Sequence, residues 1–265
     1  MSQTVGFIGS GNMASAIISG IISSKMEEIS LLAYDIKQAN YETLSRKGVQ
    51  VCQQLEQVAK ADYIVLAVKP QNIAEVMENL KPIINQDAVI VSIAAGITES
   101  YLCQALGYEA KVVLVMPNTP LLLGQGATAM SKGNHTGNQE FEFVRQLFAL
   151  SGAVEVISKD KMCEIIAING SSPAYIYLFA KGFLEYAKKE GISEEVALHL
   201  FTASLKGSAS MMTDSGHSID ELIKMVSSPG GTTLAGLDVF YQDNFTDTII
   251  RACDACTKRA YELSK

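Results

Sequence analysis

Histidine is scarce in this chain, and the three residues present, His135, His199 and His217, lie far apart. A metal centre built on clustered imidazoles is therefore not expected. Cysteine is sparse as well: Cys52, Cys103, Cys163, Cys253 and Cys256 are odd in number and scattered through 265 residues. A chain this long buries a full core without covalent staples, so the thiols are expected to be reduced and the protein cytoplasmic. Cys253 and Cys256 form a C-x-x-C pair in a helix-like stretch, but no second pair or nearby His completes a zinc set. They read as small apolar helix residues. Basic charge is in deficit, 21 Lys and Arg against 28 Asp and Glu for a net charge of -7, so a phosphate-backbone footprint is not expected. Long hydrophobic runs are missing too. Apolar stretches break at Gly, Ser or charge well short of the roughly 20 residues a membrane span requires. The chain opens Met1-Ser2-Gln3-Thr4 directly into Val5-Gly6-Phe7-Ile8, with no basic region ahead of an apolar run, so no targeting segment is expected. No nucleic acid and no membrane are expected as partners, which leaves small molecules and copies of the chain itself.

What is present is a change of rhythm. Up to about Ile157, β-branched runs alternate with amphipathic segments, the pattern of repeated β-α units around a mostly parallel sheet. Strands are predicted at Thr4–Ile8, Leu31–Tyr34, Val49–Cys52, Tyr63–Ala67, Ala88–Ser92, Val112–Met116, Ala127–Met130 and Val154–Ile157. Helices are predicted between them at Met13–Ser23, Gln38–Arg46, Glu56–Ala61, Gln71–Ile83, Thr98–Leu106 and Glu140–Leu150. After Lys159 helical periodicity takes over, which places a domain boundary there: residues 1–159 form an α/β dinucleotide-binding domain and 160–265 a helical one. Ala174–Lys189, Glu194–Thr213 and Thr246–Leu263 are apolar on more than one face. Helices of that kind are buried, and a second subunit is the natural partner surface for so small a region.

The first chemical signal is Gly9-Ser10-Gly11-Asn12-Met13-Ala14, directly after the strand ending at Ile8 and opening an Ala/Ile-rich helix. Its glycines let the backbone turn tightly and approach a pyrophosphate held at the helix N-terminus. Asp35 follows at the end of the second strand, where ribose hydroxyls are read. A carboxylate there suits the 2'-hydroxyl of NAD and repels the 2'-phosphate of NADP, whereas Lys37, two residues on, offers a phosphate contact. NADH and NADPH both stay open, with Asp35 alone leaning the choice to NADH or dual use. Two further strand ends, Ala67-Val68-Lys69-Pro70 and Ile93-Ala94-Ala95-Gly96, fall at the carboxyl edge where open α/β sheets bind ligands. Met116-Pro117-Asn118-Thr119-Pro120 ends the next strand in a proline-stiffened turn. The second strong signal is Ser227-Ser228-Pro229-Gly230-Gly231-Thr232-Thr233 ahead of a helix-like Leu234–Tyr241. Such a run exposes backbone N–H groups and hydroxyls at the positive end of a helix dipole, which makes a carboxylate cradle.

In order along nearly the whole chain, Gly6-Phe7-Ile8-Gly9-Ser10-Gly11-Asn12-Met13-Ala14, Ala67-Val68-Lys69-Pro70, Val91–Gly96, Met116–Pro120, Gly170-Ser171-Ser172-Pro173-Ala174-Tyr175 and Ser228-Pro229-Gly230-Gly231-Thr232-Thr233 resemble the pyrroline-5-carboxylate reductase family. The resemblance implies an N-terminal Rossmann-type domain, a C-terminal all-helical dimerisation domain, and NADPH or NADH reducing a cyclic imino acid to proline. It carries substrate contacts onto Ser228, Gly230, Gly231, Thr232 and Thr233, near a subunit interface of a homodimer or higher homo-oligomer. Thr233 is implied to bond the ring nitrogen. Cofactor contacts carry over to Ile8, Gly9, Ser10, Gly11, Asn12, Met13, Asp35, Lys37, Gln54, Ala67, Val68, Lys69, Pro70, Ala94, Ala95, Gly96 and Asn118. Two positions depart from the pattern: Gln54 stands where Asn is usual near the adenosine, and Asn169 replaces a small residue.

Two other readings fit part of the pattern. Hydroxyacid dehydrogenases of the 3-hydroxyisobutyrate type share the glycine-rich opening but use a Lys base and a nearby Asn on the first long helix. Ser172–Lys189 offers only Lys181, Lys188 and Lys189, with no Asn after them. A non-catalytic nucleotide-binding redox sensor would keep the Gly9–Ala14 loop, yet it gives no reason for the Ser228–Thr233 cradle.

Overall fold

The computed structural model describes residues 3–24, 26 and 28–264. Its strands are β1 (Gln3–Ile8), β2 (Ile29–Tyr34), β3 (Gln50–Cys52), β4 (Tyr63–Leu66), β5 (Val89–Ser92), β6 (Lys111–Pro117), β7 (Gly126–Lys132) and β8 (Gly152–Val156). They form one sheet in the order β3-β2-β1-β4-β5-β6-β7-β8, parallel throughout except where β6 meets β7. The order reverses between β1 and β4, and in such sheets that switch point opens a crevice at the carboxyl ends of the strands.

Alternation along each strand divides the core between the two faces. On one face Val5, Phe7, Val65, Val91 and Val113 pack with Ile17 and Ile21 of α1 (Asn12–Ser23) and Leu147 and Phe148 of α6 (Asn138–Ala149). On the other, Ile8, Ile64, Leu66, Ile90 and Leu114 pack with Val58 of α3 (Leu55–Val58), Met77 of α4 (Ile73–Leu80) and Leu102 of α5 (Glu99–Leu106). Each such fully buried side chain contributes about 1.5–3 kcal/mol, and a one-residue slip would send every one to the wrong face.

Three local features differ from the sequence expectation. Gln38 has φ of 52°, a left-handed backbone that no helix contains, so α2 (Tyr41–Arg46) starts three residues later than its pattern suggests. A 3-10 turn at Pro70–Asn72 precedes α4, because the proline ring fixes the entry. A π-helical turn, Ile166–Gly170, was not anticipated.

The remaining helices are α7 (Ser172–Lys189), α8 (Glu194–Asp214), α9 (Ile219–Met225), α10 (Thr232–Gln242) and α11 (Phe245–Leu263). The chain forms two compact units, one of residues up to Pro173 together with those from Ala255 onward, the other Ala174–Asp254. Texture changes at Lys159, but contacts divide later for a physical reason: Ile166 and Ala260 share a small core with Met116 and Ala129 of the sheet. In the second unit Phe179, Phe183, Phe201, Phe240 and Phe245 form a ring cluster with centroids 4.7–6.5 Å apart. Around it Tyr177, Leu178 and Leu200 stay exposed, and neither α8 nor α10 buries a residue. Among the described residues no helix is long and apolar enough to cross a membrane.

Candidate active site

The glycine-rich turn is built by the meeting of three strand ends. Gly9 N–H donates to the Tyr34 carbonyl at 2.8 Å, and Ala67 N–H donates to the Ile8 carbonyl at 2.8 Å, so the ends of β1, β2 and β4 lie side by side. Gly9 has φ of 97°, and a Cβ there would meet the Ala67 carbonyl oxygen at 2.6 Å. Gly11 is the N-cap of α1, with no side-chain cap and no acidic residue in the first turn. A Cβ built on it would have nothing within 4 Å. Gly11 and Asn12 are exposed and Met13 half-buried. The first N–H groups of α1 thus face open space at the positive end of the helix, which suits a phosphate.

Ser10 is not part of that open face. It is 1% exposed, and both its N–H and its hydroxyl donate to Asp35 Oδ2, at 2.7 and 2.9 Å. The other carboxylate oxygen accepts from Lys37 N–H at 2.8 Å. Burial alone would raise the Asp35 pKa. The Ser10 and Lys37 N–H groups, the Ser10 hydroxyl and the Lys37 charge together outweigh it and hold the carboxyl below its ordinary value. Lys37 itself is exposed.

Two residues that the sequence did not single out complete the frame. Asn40 Nδ2 donates to the Ser10 carbonyl at 2.5 Å, and the Tyr41 hydroxyl donates to the Cys52 carbonyl at 2.6 Å while accepting Asp35 N–H at 2.9 Å. A chain of bonds from Ser10 through Asp35 and Tyr41 to Cys52 therefore ties the ends of β1, β2 and β3. The available signal was a tyrosine at the start of a helix directly after an acidic strand end. Gln54 is exposed and starts α3, its N–H donating to Gln57 Oε1 at 3.2 Å.

On the other side of the switch point, Ala67, Val68 and Pro70 are half-buried while Lys69 is exposed. Ala94 is buried and Ala95 half-buried. Gly96 is pressed against the last turn of α11, where a Cβ would meet the Ala260 carbonyl oxygen at 3.2 Å. A cavity of about 400 Å³ adjoins this loop, lined among others by Ala94, Gly96, Met116, Glu99 and Lys159. Lys159 Nζ bonds Glu99 at 2.6 Å on its wall. Asn118 is buried, its Oδ1 accepting Ala127 N–H at 2.9 Å and its Nδ2 donating to the Asn169 carbonyl at 3.4 Å.

In the second unit, Gly230 turns the chain with φ of 69°, and Gly231 N–H donates to the Ser228 carbonyl at 2.9 Å. Gly231 is the N-cap of α10, again with no side-chain cap and no acid in the first turn. Ser228, Gly230, Thr232 and Thr233 are exposed. None of the five cysteines forms a disulfide, and burial raises the pKa of Cys52, Cys103 and Cys163. Among the described residues no His, Cys, Asp and Glu cluster suits a metal ion.

A mostly parallel sheet with a glycine turn, an open helix N-terminus and an acidic second-strand end defines a dinucleotide-binding domain, and residues 4–96 match the family described as NADP oxidoreductase, coenzyme F420-dependent. Residues 159–263 match pyrroline-5-carboxylate reductase dimerisation. The chain is 32% identical to the pyrroline-5-carboxylate reductase of Escherichia coli K12, covering 100% of both, and 35% identical to that of Pisum sativum, covering 99% of this chain and 97% of that protein. Among solved structures, a Plasmodium falciparum pyrroline carboxylate reductase with NADP bound superposes with a TM-score of 0.90 at 29% identity, covering 99% of this chain and 98% of that one. The reductase of Coxiella burnetii gives 0.89 at 32% identity, covering 100% of each. The chain belongs to the pyrroline-5-carboxylate reductase family.

Proposed function

We propose that the chain reduces L-1-pyrroline-5-carboxylate to L-proline with NADPH or NADH, the last step of proline biosynthesis, as a cytoplasmic homodimer or larger homo-oligomer. The observation that carries the reading is the start of α1, whose N–H groups are uncapped and whose N-cap glycine has open space around it. In this reading residues 1–159 hold the cofactor, and 160–265 supply the dimer surface and the substrate cradle. The backbone of Gly9, Gly11, Asn12 and Met13 takes the pyrophosphate. Ala67–Pro70 and Ala94–Gly96 flank the nicotinamide end, with Asn118 stiffening the turn behind them. The N–H groups that open α10, with Ser228 and Gly230–Thr233, receive the substrate carboxylate, and the Thr233 hydroxyl orients the ring nitrogen.

When bound, the dihydronicotinamide supplies the hydride. The chain's own part is orientation: the carboxylate anchor and Thr233 fix the imine carbon in place, while the imine nitrogen binds protonated or takes its proton from solvent. Positioning of this kind lowers such a barrier by up to about 7–11 kcal/mol. Asp35 is a weak guide to the cofactor, because its carboxylate already accepts two bonds from Ser10 in the glycine turn and one from Lys37 N–H. Exposed Lys37 suits a 2'-phosphate, which favours NADPH as an accepted donor.

The test is to mix purified chain with pyrroline-5-carboxylate and each reduced cofactor and follow absorbance. Oxidation of neither would end the proposal. Thr233 is exposed, so Thr233→Ala should leave stability within about 0.5 kcal/mol of wild type. Its turnover should fall about tenfold or more, the loss of one oriented hydrogen bond in the transition state. Unchanged turnover would remove Thr233 from the mechanism.

A further inference from the structure

The loop of residues 93–98, between β5 and α5, is lightly held. Its own bonds are long: Ala94 N–H reaches Ser92 Oγ at 3.4 Å, and Ile97 N–H reaches the Ala94 carbonyl at 3.4 Å. Ala94, Gly96, Ile97 and Thr98 line the cavity of about 400 Å³, so one side of the loop lacks the close packing that holds a core segment still. A segment with few buried contacts takes its position from its anchors. Gly96 rests on the last turn of α11, and the other anchor is Glu99, the first residue of α5.

Both oxygens of Glu99 are occupied. Oε1 accepts Asn134 N–H at 2.5 Å and Oε2 accepts Lys159 Nζ at 2.6 Å, while Lys159 Nζ also donates to Asn134 Oδ1 at 2.6 Å. Asn134 follows β7 and Lys159 opens the 3-10 turn after β8, so one carboxylate ties the start of α5 to segments 35 and 60 positions away. Gly133 permits the approach, since a Cβ there would meet Glu99 Oε1 at 2.7 Å. Exposed ion pairs contribute little, but the Glu99 side chain is only 11% exposed. Removing its partner leaves a shielded charge uncompensated, and the start of α5 must shift to solvate it. Resting on the cofactor reading above, which sets residues 94–96 beside the nicotinamide, we propose that Glu99 and Lys159 are a positioning pair. They act through the loop, fixing its height over the cavity and with it the distance across which hydride passes.

The test pairs binding with a single turnover. NADP+ and 2'-phospho-ADP-ribose, the same molecule without its nicotinamide, are titrated by calorimetry into wild type, Glu99→Gln, Lys159→Met, Lys159→Arg and Asn134→Ala. The rate of hydride transfer is read in one turnover of NADPH with pyrroline-5-carboxylate. Glu99→Gln and Lys159→Met should slow transfer about tenfold, since misplacement by a fraction of an ångström is felt on that scale. They should weaken NADP+ about threefold and leave 2'-phospho-ADP-ribose binding as it does to wild type. Lys159→Arg keeps the charge and the donors, and should restore transfer to within about twofold of wild type. Asn134 is exposed, so Asn134→Ala folds and should slow transfer by a smaller factor, about threefold. Equal weakening of both ligands is the mark of general structural damage and overturns the proposal. So does wild-type transfer in a folded charge-loss variant or, should both of those unfold, in Asn134→Ala. If wild type itself does not bind NADP+, the cofactor reading falls and takes the pair's role with it.

Discussion

Gly9→Ala and Gly11→Ala add the same methyl group to the same loop, yet opposite outcomes are expected. At Gly9, φ is 97° and the new Cβ would lie 2.6 Å from the Ala67 carbonyl oxygen and 2.9 Å from its carbon. An L residue in left-handed backbone costs about 1–2 kcal/mol. The contact is with backbone, so no rotamer relieves it, and shifting the ends of β1 and β4 adds about 1–3 kcal/mol. A total of about 2–5 kcal/mol lowers Tm by roughly 5–15 °C for a chain of this size. At Gly11, φ is -67° with ψ of -172°, which alanine adopts freely, and nothing lies within 4 Å of the added carbon. The entropy gained from a stiffer unfolded chain and the weaker N-cap nearly cancel, leaving stability within about 1 kcal/mol of wild type. The methyl nonetheless occupies the space through which a pyrophosphate reaches the N–H groups of α1, so NADPH affinity should fall at least about tenfold. Thermal unfolding by circular dichroism and calorimetric Kd values separate the two effects. A folded Gly11→Ala variant that binds NADPH as wild type does would refute the placement of the pyrophosphate at this helix.

Other perturbations test the frame around the loop. Tyr41→Phe removes a buried hydroxyl that pairs with Cys52 and Asp35, leaving two backbone groups unpaired, and should cost about 2–3 kcal/mol in urea unfolding. An unchanged midpoint would show that the strand ends do not depend on it. Asp35 has a folded pKa below its ordinary value of 3.8, so its contribution is complete above that value and is lost as pH falls through the lower folded one. Asp35→Asn should therefore be less stable at neutral pH, by about 1 kcal/mol after allowance for partial exposure, and should show a flatter acid limb. A wild-type acid limb in that variant would contradict the bonds drawn to Ser10 and Lys37. Lys37→Ala should weaken NADPH about three- to tenfold while leaving NADH unchanged, since only the former carries a 2'-phosphate. Equal loss for both cofactors would take Lys37 away from that role.

The sheet was legible because its information is local. Short β-branched runs such as Val89-Ile90-Val91, set between amphipathic stretches, mark strands of a buried parallel sheet before any partner is known. The glycine turn was legible for the same reason, as a short motif between a strand and a helix. What stayed hidden depends on residues distant in sequence. Asn40 reaches Ser10 across 30 positions, and a left-handed Gln38 breaks what its neighbours pattern as one helix. The π-turn has no period of its own, so Asn169 read only as a departure from a small residue. Helix α9 spans seven residues and was too short for a periodic signal.

Asp35 shows how a correct sequence signal can carry a different physical role. An acid at the end of a second strand is read as the partner of a ribose, and its charge as a barrier to a 2'-phosphate. Here the same carboxylate anchors Ser10 by two bonds and the Lys37 backbone by a third. Those donors, with the Lys37 charge, hold the carboxylate ionised and occupy it with bonds inside the protein. Removing Asp35 should damage binding of NADH and NADPH together, whereas a pure ribose reader would lose only NADH.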